Sequence, residues 1–488
     1  MLITEKSKQI AQHYVTSSVF SSKVLVKWLA IASLVGVIVG AIAACFGHAL
    51  IAVNNFRAAH PMIILGLPFA GMLIVFLYRY FKDQNDRGTN MVIASLIGVL
   101  VGTAATAFGH ALIFVNAFRG AHPMIILGLP FAGLLLVFLY RYFKDQDDGG
   151  TNMVIASIHS STRVPFRMAP LIFITTAITH LFGGSAGREG AAIQLGGSIA
   201  NKIGKRAGLS QNDQHIIVMC GMSAGFSALF GTPMAATIFS LEVISVGIMH
   251  YSALVPCVTA SMIAHFVAEF MRVPPEIFPV AAVPEIAPLL FGKTVLLAAL
   301  FGAGSVLFCM IMHQTEHLLA HHFKNPYVKI FVSGVGFLVL CGLLGSDMYL
   351  GSGMHIIEEI FHHGHTKTFA FLLKMIFTAL TIGAGFKGGE IVPSLTIGAA
   401  FGCVIAPVFG FDVPLAAAMG MIGVFCGVTN CPITSLLISF ELFGFAGMPY
   451  YLTTVAVSYM ISGYYGLYHA QRIMYSKTET HFINTIAH

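Results

Sequence analysis

The chain has 488 residues, 57% of them hydrophobic and only 9% charged, with a formal net charge of +6 and a mean hydropathy of +0.83. An ordinary soluble domain carries roughly 25% charged residues, so a soluble protein is excluded; disorder, collagen, coiled coil and a disulfide-rich secreted scaffold fail for want of polarity, a strict short repeat or dense cysteine. Apolar runs of bilayer-crossing length, about 20 residues each, recur along the sequence and make this an all-α polytopic membrane protein.

Residues 1–27 are polar and amphipathic, with Lys6, Lys8, Lys23 and Lys27. The first apolar run begins near Trp28 without a small-residue cleavage pattern, so no cleaved signal is expected. Lys and Arg sit in short clusters between apolar runs, the pattern of cytoplasmic loops, which argues against nucleic-acid binding. Residues 34–95 then recur as 96–157 at an offset of 62, with roughly 49 of 62 positions identical. Residues 46–50 match 108–112, and 60–71 match 122–133. This is a tandem duplication of a unit with two apolar spans, so the extra copy adds an even number of crossings. Arg79, Lys82 and Arg87 follow the second span and Arg141 and Lys144 the fourth; the positive-inside rule puts them in the cytoplasm with both termini. Only the second copy's Thr151-Asn152-Met153 leads directly into residues 163–189. The second unit is therefore expected in the native place, with Thr89-Asn90-Met91 of the first absorbed into a helix start at the lipid-facing periphery.

A fainter repeat divides the rest. Met153 to Glu189 is 36 residues, as is Met354 to Glu390; Pro233 to Glu242 and Pro432 to Glu441 are both nine. Two halves with Gly-interrupted hydrophobic helices at corresponding positions form the signature of an internally repeated transporter. The expected organisation is a cytoplasmic N-terminus (1–27), the two hairpin copies (28–95 and 96–157), the remainder of the first half (158–285), the second half (286–475) and a cytoplasmic tail (476–488).

Glu189 lies in a Gly-rich break, Gly183-Gly184-Ser185-Ala186-Gly187-Arg188-Glu189-Gly190, ahead of an apolar helix that runs to Lys202, Lys205 and Arg206. That helix begins inside the membrane, where its partial positive charge and unpaired N–H groups favour an anion. A carboxylate can fill that role, cap its own helix, or exchange a proton and so couple an anion to it. Gly388-Gly389-Glu390-Ile391-Val392-Pro393 repeats the arrangement in the other half, with Glu390 as either a cap or a site residue. His313, His317 and His321 with Glu316 form a helical series that could hold a metal, although no second cluster completes a shell. His362, His363 and His365 read as a solvated connector. Glu242 and Glu441, nine residues after helix-start prolines, read as paired structural acids rather than proton relays. The eight cysteines are scattered through apolar stretches with no CxxC pair and read as small membrane residues.

Gly187-Arg188-Glu189-Gly190 resembles the GREGP signature of the CLC family of chloride channels and anion/proton antiporters. Gly389 to Pro393 is similar to that family's GxFxP signature, and Tyr468 falls near its anion-binding tyrosine. The resemblance covers about residues 25–475 apart from one hairpin copy. It implies an inverted-repeat homodimer with broken and re-entrant helices and one pore per subunit. It also implies anions held by main-chain amides and the tyrosine hydroxyl, with Glu189 as external gate. The site residues it implies are Thr151, Asn152, Met153, Gly187, Arg188, Gly190, Glu390, Ile391, Val392 and Tyr468, around Glu189. Four departures stand out: Ala191 and Ile391 replace signature residues, Gly150-Thr151-Asn152-Met153-Val154 stands where the family has GSGIP, and Val243 replaces the internal proton-transfer glutamate. Together with Glu390 these are similar to the fluoride-exporting branch.

The reading is export of a small halide, fluoride above chloride, in exchange for protons, across a bacterial inner membrane. No cofactor, resident metal or enzymatic activity is implied; the rivals are a passive chloride channel and an intramembrane metalloenzyme built on the histidines.

Overall fold

Glycine and proline punctuate the apolar sequence, and each interruption ends or starts a helix. The computed structural model describes residues 87–143, 148–159, 164–278, 280, 283–477, 479 and 481–487. The N-terminal segment and most of the first hairpin copy lie outside these residues. Sixteen α-helices are found among them, eight in each half. The first half holds α1 (Arg87–Ala121), α2 (Leu129–Tyr142), α3 (Thr151–His159), α4 (Met168–Leu181), α5 (Glu189–Arg206), α6 (Gln211–Phe230), α7 (Pro233–Glu242) and α8 (Leu254–Phe270). The second holds α9 (Pro288–His322), α10 (Pro326–Leu344), α11 (Met354–His363), α12 (Ala370–Ala384), α13 (Ile391–Phe409), α14 (Val413–Thr429), α15 (Pro432–Phe443) and α16 (Met448–Ile461).

The halves correspond helix for helix. α1 and α9 each run 35 residues, about 52 Å, so they must cross a ~30 Å hydrocarbon core at a slant. α3, α7 and α11 have only 9 to 10 residues, about 15 Å, and cannot cross at all. Among the described residues six helices are long and apolar enough to span; shorter, broken helices are tolerated within a membrane protein where neighbours satisfy their ends. α5 crosses α6 where Gly196 meets Gly221, and α13 crosses α14 where Gly398 meets Gly420. A Cβ at Gly196 or Gly398 would lie 2.0 or 2.2 Å from the facing carbonyl oxygen, so only glycine permits either contact.

α7 and α15 close the pseudo-symmetry by exchanging carboxylates. Glu242, ending α7, accepts from Ile433 N (3.0 Å), Thr434 N (2.8 Å) and Thr434 Oγ1 (2.6 Å) at the start of α15. Glu441, near the end of α15, accepts from Met234 N and Ala235 N, both at 2.9 Å, at the start of α7. Each acid satisfies the orphan first-turn donors of the other helix, behind a proline at the first position whose missing N–H is no loss.

The tripeptide Thr-Asn-Met occurs twice in different settings. Asn90 lies in the first turn of α1, bonded to Asp213 Oδ1 at 3.0 Å, while Thr151 opens the short helix α3. The second-copy helices pack within the described body, α1 against α6 and α8, and α2 against α10. Of the histidines expected in a solvated connector, His362 and His363 instead end α11, which forms because Ile356, Ile357 and Ile360 bury one face; all three, His365 included, are exposed. The C-terminus folds back: β1 (Ser245–Val246) pairs in parallel with β2 (Arg472–Tyr475), which pairs antiparallel with β3 (Phe482–Ile486). Lys477 caps this turn-back by donating to Asn430 Oδ1 (2.5 Å), Ser462 Oγ (2.9 Å) and the Tyr459 carbonyl (3.1 Å).

Candidate ion-transport site

The two Gly-rich breaks meet. Gly187 N donates to Gly389 O at 2.5 Å and Gly389 N to Gly187 O at 2.7 Å, a two-residue antiparallel bridge between the halves. This bridge sets the N-termini of α5 and α13 side by side, and the first amides of both helices have no intrahelical acceptor. Close approach is obligatory: a Cβ on Gly389 would sit 2.6 Å from Gly190 N.

Glu189 begins α5 and is fully buried. Its Oε2 accepts from Arg188 N at 3.1 Å and its Oε1 from Arg188 Nε at 3.3 Å. Burying a carboxylate is tolerable only with such partners. Glu390 is the N-cap residue of α13, yet its side chain makes no cap bond to that helix. Its Oε2 lies instead beside Gly190, near Thr151 Oγ1; a Cβ built on Gly190 would be 3.6 Å and 3.2 Å from the two atoms. Ile391 and Val392 bury their side chains in the core, leaving backbone amides as what they can offer.

From the other direction, Thr151 opens α3 after Gly150, whose left-handed backbone (φ 62°) turns the chain into the helix. Gln194 Nε2 reaches Thr151 Oγ1 at 3.5 Å. Asn152 is tied to the segment after Tyr468, its Oδ1 accepting from Ala470 N at 3.0 Å. Met153 N donates to Gly150 O at 3.1 Å, and its side chain packs on the core. Tyr468 is fully buried and its hydroxyl has no hydrogen-bond partner. Both Glu390 and Glu189 lie within electrostatic range of that phenol.

A cavity of about 240 Å³ adjoins Thr151, Asn152, Gln194 and Glu390, and extends past His313, Glu316 and His469. Asp148 and Lys387, an ion pair at 3.0 Å, join the α2–α3 loop to the second Gly-rich break beside it. In the helical histidine series, the His313 ring lies 4.2 Å from that of His469 at a 35° tilt, while the His317 and His321 rings stack at 6.4 Å. No group of three His, Cys, Asp or Glu side chains among the described residues is arranged to hold a metal ion.

Two participants escaped the sequence reading. Gln194 sits four residues after Gly190, hence on the same helix face, a spacing that could have marked it. Glu276 comes from the α8–α9 loop to Arg188 Nη2, and nothing in its local sequence signals that.

The chain's residues 132–463 match the model of the family described as voltage gated chloride channel. A chloride/fluoride channel protein of Pseudomonas syringae pv. tomato is 35% identical over 397 residues, covering 79% of this chain and 87% of that protein. An H(+)/Cl(-) exchange transporter, ClcA, of Vibrio vulnificus is 24% identical, covering 72% of this chain and 81% of its own length. Among solved structures, a CLC-type fluoride/proton antiporter superposes with a TM-score of 0.77 at 33% identity, covering 80% of this chain and 99% of that one. Fold, sequence and the paired Gly-rich breaks agree: this chain is an integral membrane protein and belongs to the voltage-gated chloride channel (CLC) family.

Proposed function

We propose that the protein exchanges fluoride for protons across a bacterial inner membrane, with Glu189 as gate and proton carrier. The observation that carries this reading is the Gly187–Gly389 bridge, which sets two acid-bearing helix starts together beside the partnerless hydroxyl of Tyr468. An ionised Glu189 occupies the ground that an anion would take. Once protonated it loses its claim on the surrounding donors, and a small halide replaces it against the free amides of α5 and α13 and the Tyr468 hydroxyl. The likeness to the fluoride/proton antiporter and to the chloride/fluoride channel protein supports fluoride. Glu390, Thr151 and Gln194 line the approach. The family resemblance supports a homodimer, and the basic clusters support cytoplasmic termini.

Liposomes holding purified protein, read with fluoride and chloride electrodes with and without a pH gradient, test this. A fluoride gradient should drive protons uphill, and Glu189→Gln, which keeps the size but cannot exchange a proton, should abolish that movement. Fluoride flux with no uphill proton movement would establish a passive channel instead, and chloride flux above fluoride would reverse the selectivity.

A further inference from the structure

The guanidinium of Arg188 is shared between two carboxylates. Its Nε donates to Glu189 Oε1 at 3.3 Å, while its Nη2 donates to the Leu229 carbonyl at 3.4 Å and to Glu276 Oε1. Glu276 is held in place by its loop: Pro275 packs against Gly231, and Phe278 N donates to Leu442 O at 2.8 Å. The second oxygen of Glu276 is buried without a partner. With Arg188 it lines a cavity of about 670 Å³, separate from the one that Glu390 lines. The charged and titratable groups around it are Arg188, the N-cap residue of α5, Glu189 of α5, Glu358, His355 and His362 of α11, Arg119 of α1 and His180 of α4.

Two carboxylates and one guanidinium carry one net negative charge. When Glu189 takes a proton, Arg188 and Glu276 remain as a neutral pair. Without Glu276, the same event would strand an unbalanced buried guanidinium, which holds Glu189 in its charged form. We infer that Glu276 is a positioning residue for the gate: it holds Arg188 and balances its charge so that Glu189 can be protonated and leave. The inference rests on Glu189 being the proton carrier.

Glu276→Gln keeps the shape and a hydrogen bond to Arg188 but removes the charge. Measured as fluoride flux against pH in liposomes, its half-maximal point should move down by about one pH unit, with flux at neutral pH falling about tenfold. Glu276→Asp should restore the wild-type midpoint, and in a Glu189→Gln background the added Glu276→Gln should change flux less than about twofold. Glu276→Ser provides the same loss of charge if the glutamine variant does not fold. A profile that superimposes on wild type, or an equal shift in the Glu189→Gln background, overturns the inference. Wild-type protein that moves fluoride without protons would refute antiport, yet the midpoint shift in passive flux would still read the role of Glu276.

Discussion

Gly187 and Gly389, separated by 202 positions, exchange both backbone hydrogen bonds at 2.5 and 2.7 Å. Neither half of the chain makes the site alone: the bridge sets each Gly-rich break opposite its symmetry mate. Gly389→Ala would force a Cβ to within 2.6 Å of Gly190 N. The variant should lose about 1 to 3 kcal/mol of stability and all fluoride flux. Thermal unfolding in detergent checks this, and an unchanged melting temperature would contradict it.

Tyr468→Phe removes a hydroxyl that no protein group uses, so stability should hold. Losing one donor to a charged acceptor should weaken anion binding by about 1 to 3 kcal/mol, roughly 5- to 150-fold. Calorimetric fluoride titration measures it; unaltered affinity would place Tyr468 outside the site.

Glu390→Ala should leave the melting temperature nearly unchanged, because the side chain makes no cap bond to α13, while flux or selectivity changes. A loss of about 1 kcal/mol in stability with full flux would return Glu390 to a capping role.

Glu242→Ala leaves two N–H groups and the Thr434 hydroxyl without their acceptor, and Glu441→Ala leaves two more donors exposed. Each should cost about 1 to 3 kcal/mol, read by unfolding. The proton-to-fluoride ratio of the surviving protein should be that of wild type, since both acids are committed to helix ends.

Deleting residues 34–95 joins Ser33 to Leu96 in the register of the repeat. We expect folding and fluoride flux to persist. Their loss in this deletion, while removal of residues 96–157 is tolerated, would assign the native place to the first copy.

The site was legible where chemistry contradicts its surroundings. An acid after a Gly-rich break in an apolar chain is conspicuous, and so Glu189 and Glu390 could be picked out by inspection. Glu242 and Glu441 could be paired by their equal distance from a proline, although only the structure shows that each caps the other's helix. Glu276 sits in a polar loop where carboxylates are ordinary, and its meaning comes from Arg188, 88 positions away. Thr89-Asn90-Met91 and Thr151-Asn152-Met153 mark a different limit. The first is succeeded by an unbroken apolar run and continues as α1. The second gives way after His159 to polar residues and Pro165, and stops as α3. Identical tripeptides thus took their conformation from the segments on their C-terminal side.

The exchange of carboxylates between α7 and α15 also sets an order in time. Glu441 comes 207 positions after Met234, so at about 5 to 20 residues per second the acceptor for α7 leaves the ribosome on the order of 10 to 40 s after its donors. Through that interval the first half sits in the bilayer with an open helix end that only water, a headgroup or an insertion factor can serve. Completing the chain closes both ends together, which makes the last third of synthesis the step that commits the protein to its fold.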